Sequence, residues 1–246
     1  MRWKAVAAPM SLPMILEAIS VGPLAACILD ARPNGCIQGR VMARFERSAY
    51  VAVDGELVCI TDPALYDGAI NMRCRRLPAA GADVWLDGRS ARRWHPDPWP
   101  SPDCIQGCMQ LVAERCRDVP VASGGLSLLG RGEGLTPDGD DIIAGMMLAW
   151  RAVGARFDAT PVLAAAAERT HAISLAHLRA AAHGYASAPV HAALAALLDP
   201  EYSYSDLAPA MAGLDTVGHS SGRSTLTGMK QALVAWAADP TACMKV

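Results

Sequence analysis

The chain has 246 residues, with 22 Lys+Arg against 24 Asp+Glu and a formal charge of -2, so it lacks the basic footprint that general nucleic-acid binding needs. Hydrophobic residues make up 52% and charged residues 19%, below the usual charged share of about 25%. That composition excludes disorder and supplies core for one large domain or two small ones. Six tryptophans, five tyrosines and two phenylalanines leave Ala, Leu, Val and Met to fill it.

In chain order, Arg2 and Lys4 precede an apolar stretch ending Leu24-Ala25-Ala26-Cys27, similar to a lipoprotein cleavage box. Glu17, Pro9 and Pro13 interrupt that stretch, so the expected location is the cytoplasm. The spacing around Met14–Ile19 predicts a short helix. Strands are predicted at Val41–Phe45, Tyr50–Val53, Leu57–Ile60 and Ala82–Leu86, with Asp54-Gly55 as a type I′ hairpin turn. Pro96, Pro98, Pro100 and Pro102 then enforce an extended connector, because each fixes φ and removes a donor. It divides a β-rich region, 1–100, from a helical region, 101–246.

Beyond it, Ile105, Cys108, Leu111, Val112 and Cys116 predict one helix started by Pro102. Ile142 to Val153 predicts a second, closed near Gly154. A third runs from Thr160-Pro161, read as N-cap and first helical residue, towards Gly184. Shorter helices follow at 190–198 and 206–214, and a last one carries Leu226, Met229, Leu233 and Trp236. The expected fold class is α+β: a β-rich N-terminal part followed by a mainly helical C-terminal part. The longest later apolar run, Ile142–Trp150, is too short to span a bilayer, and no membrane partner is expected.

The eight cysteines form no CxxC pair and no framework, and read as reduced apolar side chains, Cys104 and Cys108 packing on one helix face. No Cys/His set has zinc spacing. His171, His177 and His183 lie six apart on one predicted helix. At about 100° per residue they point to three sides and cannot converge on one ion.

The segment Gly130-Arg131-Gly132-Glu133-Gly134-Leu135-Thr136-Pro137-Asp138-Gly139-Asp140-Asp141 has four glycines and leads into an apolar helix. Such a loop lets backbone amides approach a ligand, and a helix N-terminus favours an anion. It is neither GxGxxG nor a Walker loop. Glu133, Asp138, Asp140 and Asp141 face one cation, Arg131, so a bound phosphate needs a divalent cation between. Mg²⁺ is the cation expected, with Asp140 and Asp141 as ligands. The same residues also read as a helix start, Thr136 capping and the acids complementing the dipole, which leaves the glycines unexplained. A second loop, Gly218-His219-Ser220-Ser221-Gly222-Arg223-Ser224-Thr225, has the same design. Ser220, Ser221 and Arg223 suit a phosphate or carboxylate and His219 suits acid–base work; the alternative is a serine-capped helix after a tight turn. No Gly-x-Ser-x-Gly elbow is present, and the serines have no base beyond His219.

Residues 130–145, Gly-Arg-Gly-Glu-Gly-Leu-Thr-Pro-Asp-Gly-Asp-Asp-Ile-Ile-Ala-Gly, resemble the signature of the AllH-type family, long catalogued as a domain of unknown function and now associated with oxamate carbamoyltransferase. Thr170–Gly184 and Gly218-His219-Ser220-Ser221-Gly222 with Thr225 and Gly228 resemble its later motifs in the same order. The resemblance covers about 120–236. Glu133 stands where the family commonly has proline and Asp138 where it often has serine; both add negative charge and favour a cation-bridged site. The resemblance implies a subunit of a carbamoyl-transferring complex in purine (allantoin) catabolism, interconverting oxamate and carbamoyl phosphate with oxalurate and phosphate. AllF- and AllG-like subunits would be its partners, and no organic cofactor is implied. Gly132, Gly134, Thr136, Asp140 and Asp141 would form one wall of the site, and His219, Ser220, Ser221 and Arg223 the other. Asp141 and His219 would carry catalysis, and Gly132, Gly134, Thr136, Ser220, Ser221 and Arg223 would hold the ligand. The rival expectations are a non-catalytic assembly or ligand-sensing subunit, and a stand-alone small-molecule transferase or hydrolase.

Overall fold

The computed structural model describes residues 14–32, 34–119 and 125–241; Arg2, Lys4, Pro9 and Pro13 of the leader-like stretch and Cys243 fall outside them. Contacts divide the chain into two units. Of the described residues, one takes in those from 14 to 21, from 25 to 65 and from 71 to 93; the other takes in 22–24, 66–70 and those from Trp94 onward. The class is α+β, with strands in the N-terminal part and helices mostly in the C-terminal part.

The first unit is a barrel. Its strands are β1 (Met14–Val21), β2 (Cys36–Arg44), β3 (Ser48–Val53), β4 (Glu56–Thr61), β5 (Asn71–Cys74), β6 (Asp83–Asp87) and β7 (Arg92–Arg93). They run in the order β5-β4-β3-β2-β6-β1-β7, and a β1–β5 pairing closes the sheet. Closure removes the long edges that would otherwise template aggregation. Register irregularities at Ala18/Ser20 in β1 and Val41/Ala43 in β2 supply the local bends that a small barrel needs. Leu16, Val41, Val51, Ile60, Met72 and Leu86 are among its buried residues. The hairpin turn forms as its sequence predicts, with Asp54 at φ 50 and Gly55 at φ 87.

The helix expected at Met14–Ile19 is strand β1 instead. Its apolar residues fit either period; pairing with β6 through Met14–Glu17 and with β5 from Ala18 decides for strand. Leu24–Cys27 of the leader-like box lies in the first helix, α1 (Pro23–Asp30).

The second unit holds α2 (Pro102–Gly107), α3 (Met109–Arg115), α4 (Asp138–Ala152), α5 (Thr160–Arg169), α6 (Ala172–Ala182), α7 (Ala188–Leu198), α8 (Tyr204–Gly213) and α9 (Ser221–Ala238). The single helix expected from Pro102 is broken at Cys108 (φ -113) into α2 and α3. Ser101 caps α2 by accepting from the Cys104 amide at 3.3 Å. The long helix expected from Thr160 is broken at Thr170, which is extended (φ -133, ψ 177). Thr160 is itself helical and does not cap: its amide donates to Asp158 Oδ1 at 2.9 Å. Both predicted stops hold. Gly154 (φ 68) and Gly184 (φ 82) end α4 and α6 with paired bonds, Ala155 N to Trp150 O with Gly154 N to Arg151 O, and Tyr185 N to Ala180 O with Gly184 N to Ala181 O. These are Schellman closures, which require the left-handed residue that glycine adopts most easily.

Helices α4 and α9 pack backbone to backbone. A Cβ on Gly145 would lie 2.0 Å from Thr225 O, and one on Gly228 would lie 1.9 Å from Ile142 O. Only glycine permits that approach, and it sets the two helix N-termini side by side. Ile143, Met147, Trp150, Met229, Leu233 and Trp236 are buried in the surrounding core.

The described cysteines are unpaired. Burial pushes the thiols of Cys59, Cys74 and Cys116 up to about 12, so they stay protonated and behave as small hydrophobes. Cys104 is exposed and Cys108 half-buried, so the packing face expected of the pair is provided by Cys108, whose thiol donates to Ile105 O and Leu198 O. Among the described residues, no helix is long and apolar enough to cross a membrane.

Candidate active site

The two glycine-rich loops meet. Thr136 Oγ1 and Ser221 Oγ are 3.0 Å apart. Ser220 Oγ donates to Asp138 Oδ1 at 2.7 Å, and Ser224 Oγ donates to the same oxygen at 2.9 Å. Three hydroxyl contacts thus tie the start of α9 to the start of α4.

Asp141 sits behind this junction on the first turn of α4 and is 8% exposed. Ser221 hydrogen-bonds its carboxyl, while Oδ2 is buried without a partner among the described residues. Burial raises its pKa to about 7; Asp138 and Asp140 add to the rise and the Ser221 hydroxyl opposes it. Removal from water disfavours a carboxylate more than one hydroxyl favours it. The group is therefore poised to gain or lose a proton near neutrality.

Asp140, one residue earlier, has another fate. It is 1% exposed, accepting from the Gly130 amide at 2.8 Å on Oδ1 and from Ser174 Oγ at 2.6 Å and Thr170 Oγ1 on Oδ2. These bonds pin the glycine loop and the α5–α6 break to α4. Asp140 is thereby a strut inside the fold, and the metal-ligand role expected of it does not suit its surroundings. Among the described residues no three His, Cys, Asp or Glu side chains are grouped to hold a metal ion.

Thr136 does not cap α4. The flanking residue is Pro137, whose carbonyl accepts from Asp140 and Asp141 amides at 2.9 and 3.1 Å; the Thr136 hydroxyl is turned to Ser221 instead. Gly132 (φ 121) and Gly134 (φ 85) are exposed and adopt the left-handed region that favours glycine. At Gly132 a Cβ would also lie 2.7 Å from the Asp138 amide. Arg223 is directed to Asp215, with Nε 2.9 Å from Oδ1, and His219 is exposed on the turn before α9. The structure thus brings Thr136, Ser220, Ser221 and Asp141 together with Asp138, and gives Arg223 a different partner.

Sequence reasoning did not single out Ser224, Thr170 or Ser174. Ser224 stands one helical turn after Ser220, a spacing that could have been used; Thr170 and Ser174 carry no local signal because their partner is 30 or more residues away.

With this geometry in view, comparison with known families bears on the helical unit. Residues 128–233 match the AllH family model, described as oxamate carbamoyltransferase subunit AllH. The AllH match takes in both loops, α4 to α8 and most of α9, and so contains every residue of the junction. No solved structure matches the chain.

Proposed function

We propose that the chain is a carbamoyltransferase subunit and that the α4–α9 junction is its substrate site. The observation that carries the proposal is Asp141: a buried carboxyl of pKa about 7 beneath hydroxyls contributed by two loops of the AllH-matched segment. In carbamoyl transfer from carbamoyl phosphate to oxamate, the oxamate nitrogen forms a bond to the carbamoyl carbon, the bond to phosphate oxygen breaks, and the nitrogen gives up a proton. Ionised Asp141 takes that proton with Ser221 positioning the nitrogen, and the reverse reaction returns it. A base with a pKa near the working pH suits this exchange. Thr136, Ser220 and the amides of Gly132 and Gly134 are the donors assigned to the carbamoyl oxygen and the phosphate. Because Glu133 and Asp138 leave the mouth acidic, the phosphate's counter-charge is assigned to Mg²⁺ that arrives with the phosphate or to a neighbouring subunit, and Asp141 stays free to exchange the proton. His219, exposed beside the junction, is kept as a second proton-transfer group.

Other subunits of the same enzyme, AllF- and AllG-like, are the partners this proposal implies, and purine (allantoin) catabolism in the cytoplasm is its setting. A non-catalytic assembly role is the rival, and the engagement of Arg223 by Asp215 favours it, since that guanidinium is directed away from a bound anion. The test is affinity purification of the tagged protein from its native extract, with the eluate assayed for carbamoyl transfer to oxamate. Activity in the eluate together with two larger chains supports the subunit assignment; a protein that elutes alone and inactive overturns it.

A further inference from the structure

Away from the loop junction, α3, α7, α8, α9 and the segment between α7 and α8 line an open cavity of about 740 Å³. Leu111, Leu197, Leu207 and Met211 give it an apolar lining. This volume lies in the range of small-molecule pockets, which are apolar with a few placed polar groups.

Among the described residues, the charged groups on its wall do not balance. Arg115, Arg117 and Lys230 face Glu114 and Asp118. Arg117 pairs with Glu114. Arg115 donates to the carbonyls of Ala196, Leu197, Asp199 and Tyr202, which fixes the end of α7 and leaves its positive charge without a paired carboxylate among the described residues. Lys230 donates to both oxygens of Asp118, at 2.7 and 2.9 Å. Its side chain is 14% exposed, whereas that of Asp118 is 67% exposed. An ammonium has three donors, and Asp118 takes two of them. The wall therefore combines an excess positive charge among the described residues, a largely buried lysine side chain whose ammonium has donor capacity left, and an apolar floor.

We propose that this cavity binds a small organic anion with an apolar body, a monocarboxylate whose head meets Lys230 and whose hydrocarbon lies on Leu111, Leu197, Leu207 and Met211. Oxamate and carbamoyl phosphate have no hydrocarbon body and do not match this lining. The site is therefore separate from the loop junction and independent of the carbamoyltransferase assignment.

The experiment is calorimetric titration of the full chain with 4-phenylbutyrate, and with 4-phenylbutyramide as the uncharged control. The acid is expected to bind saturably and about tenfold more tightly than the amide, the size of one charge-assisted hydrogen bond. Lys230→Met keeps the apolar stem and is expected to remove the difference. Leu207→Trp fills the floor and is expected to abolish binding of both. Added NaCl is expected to weaken the acid but not the amide, a readout that needs no variant to fold. Equal binding of acid and amide, or no saturable binding of either to the folded wild-type chain, overturns the proposal.

Discussion

Ser221 Oγ lies 3.0 Å from Thr136 Oγ1, and through that contact two loops 85 positions apart in the chain become one surface over Asp141. The closeness is a product of helix packing. Gly145 and Gly228 let α4 and α9 touch along their backbones, and the loops that open the two helices are carried together.

The first prediction concerns pH. Folded Asp141 keeps its proton up to about pH 7, whereas the unfolded chain releases it near 3.8. At this group the folded state binds more protons between those values, so the contribution of Asp141 to stability falls as pH rises from about 4 to about 7 and is flat above. The span corresponds to about 4 kcal/mol. His177 and His191, whose pKa burial lowers to about 4, contribute the opposite slope up to about pH 6.5. Asp141→Asn, neutral and of the same shape, is expected to remove the Asp141 contribution, so that its stability relative to wild type rises with pH from about 4 to about 7 and it is at least as stable as wild type at pH 8. Urea unfolding at several pH values measures this; a variant curve parallel to wild type contradicts it.

The neighbouring acid is a structural acceptor. Asp140→Ala leaves the Gly130 amide and the Thr170 and Ser174 hydroxyls without their acceptor in the interior. Loss of about 3 kcal/mol is expected, with faster proteolysis in the 130–136 loop. Chemical denaturation combined with limited proteolysis checks both parts.

Gly145→Ala is expected to destabilise by about 3 kcal/mol or more, because the new methyl meets the Thr225 carbonyl and neither backbone can retreat without unpacking the core. Gly134→Ala adds a methyl into open space and is strained only by its positive φ, so a cost of about 1 kcal/mol is expected. Thermal unfolding of the two variants separates a packing glycine from a conformational one.

Arg223→Ala removes an exposed ion pair with Asp215 and is expected to change stability by less than about 1 kcal/mol. If the guanidinium serves a ligand on neither loop, carbamoyl transfer by the reconstituted complex stays within about threefold of wild type, the same energetic scale. Parallel denaturation and steady-state assays measure it.

Much of the architecture was legible in the sequence because its signals are local. Asp54-Gly55 specified its hairpin, Gly154 and Gly184 specified their helix ends, and the 3.6 periodicity of α9 placed Met229, Leu233 and Trp236 in the core, whereas α4 is buried on most of its sides. The failures have a common physical origin in long-range partners. Met14–Ile19 is a strand because β5 and β6 lie beside it, and α5 stops at Thr170, whose hydroxyl reaches Asp140. The two loops were recognisable as a pair, but the division of labour between adjacent carboxyls was not. Asp140 and Asp141 are indistinguishable in composition and spacing. One is met by three donors, and the other has a buried oxygen with no partner among the described residues.

The most direct measurement is the rate of carbamoyl transfer to oxamate by the reconstituted complex, with wild-type chain or Asp141→Asn, from pH 5 to 9. If Asp141 exchanges the proton, wild-type activity rises through about pH 7 and the variant is slower by at least about 100-fold while assembling and melting normally. A variant that folds, assembles and retains full activity would contradict the assignment of the site.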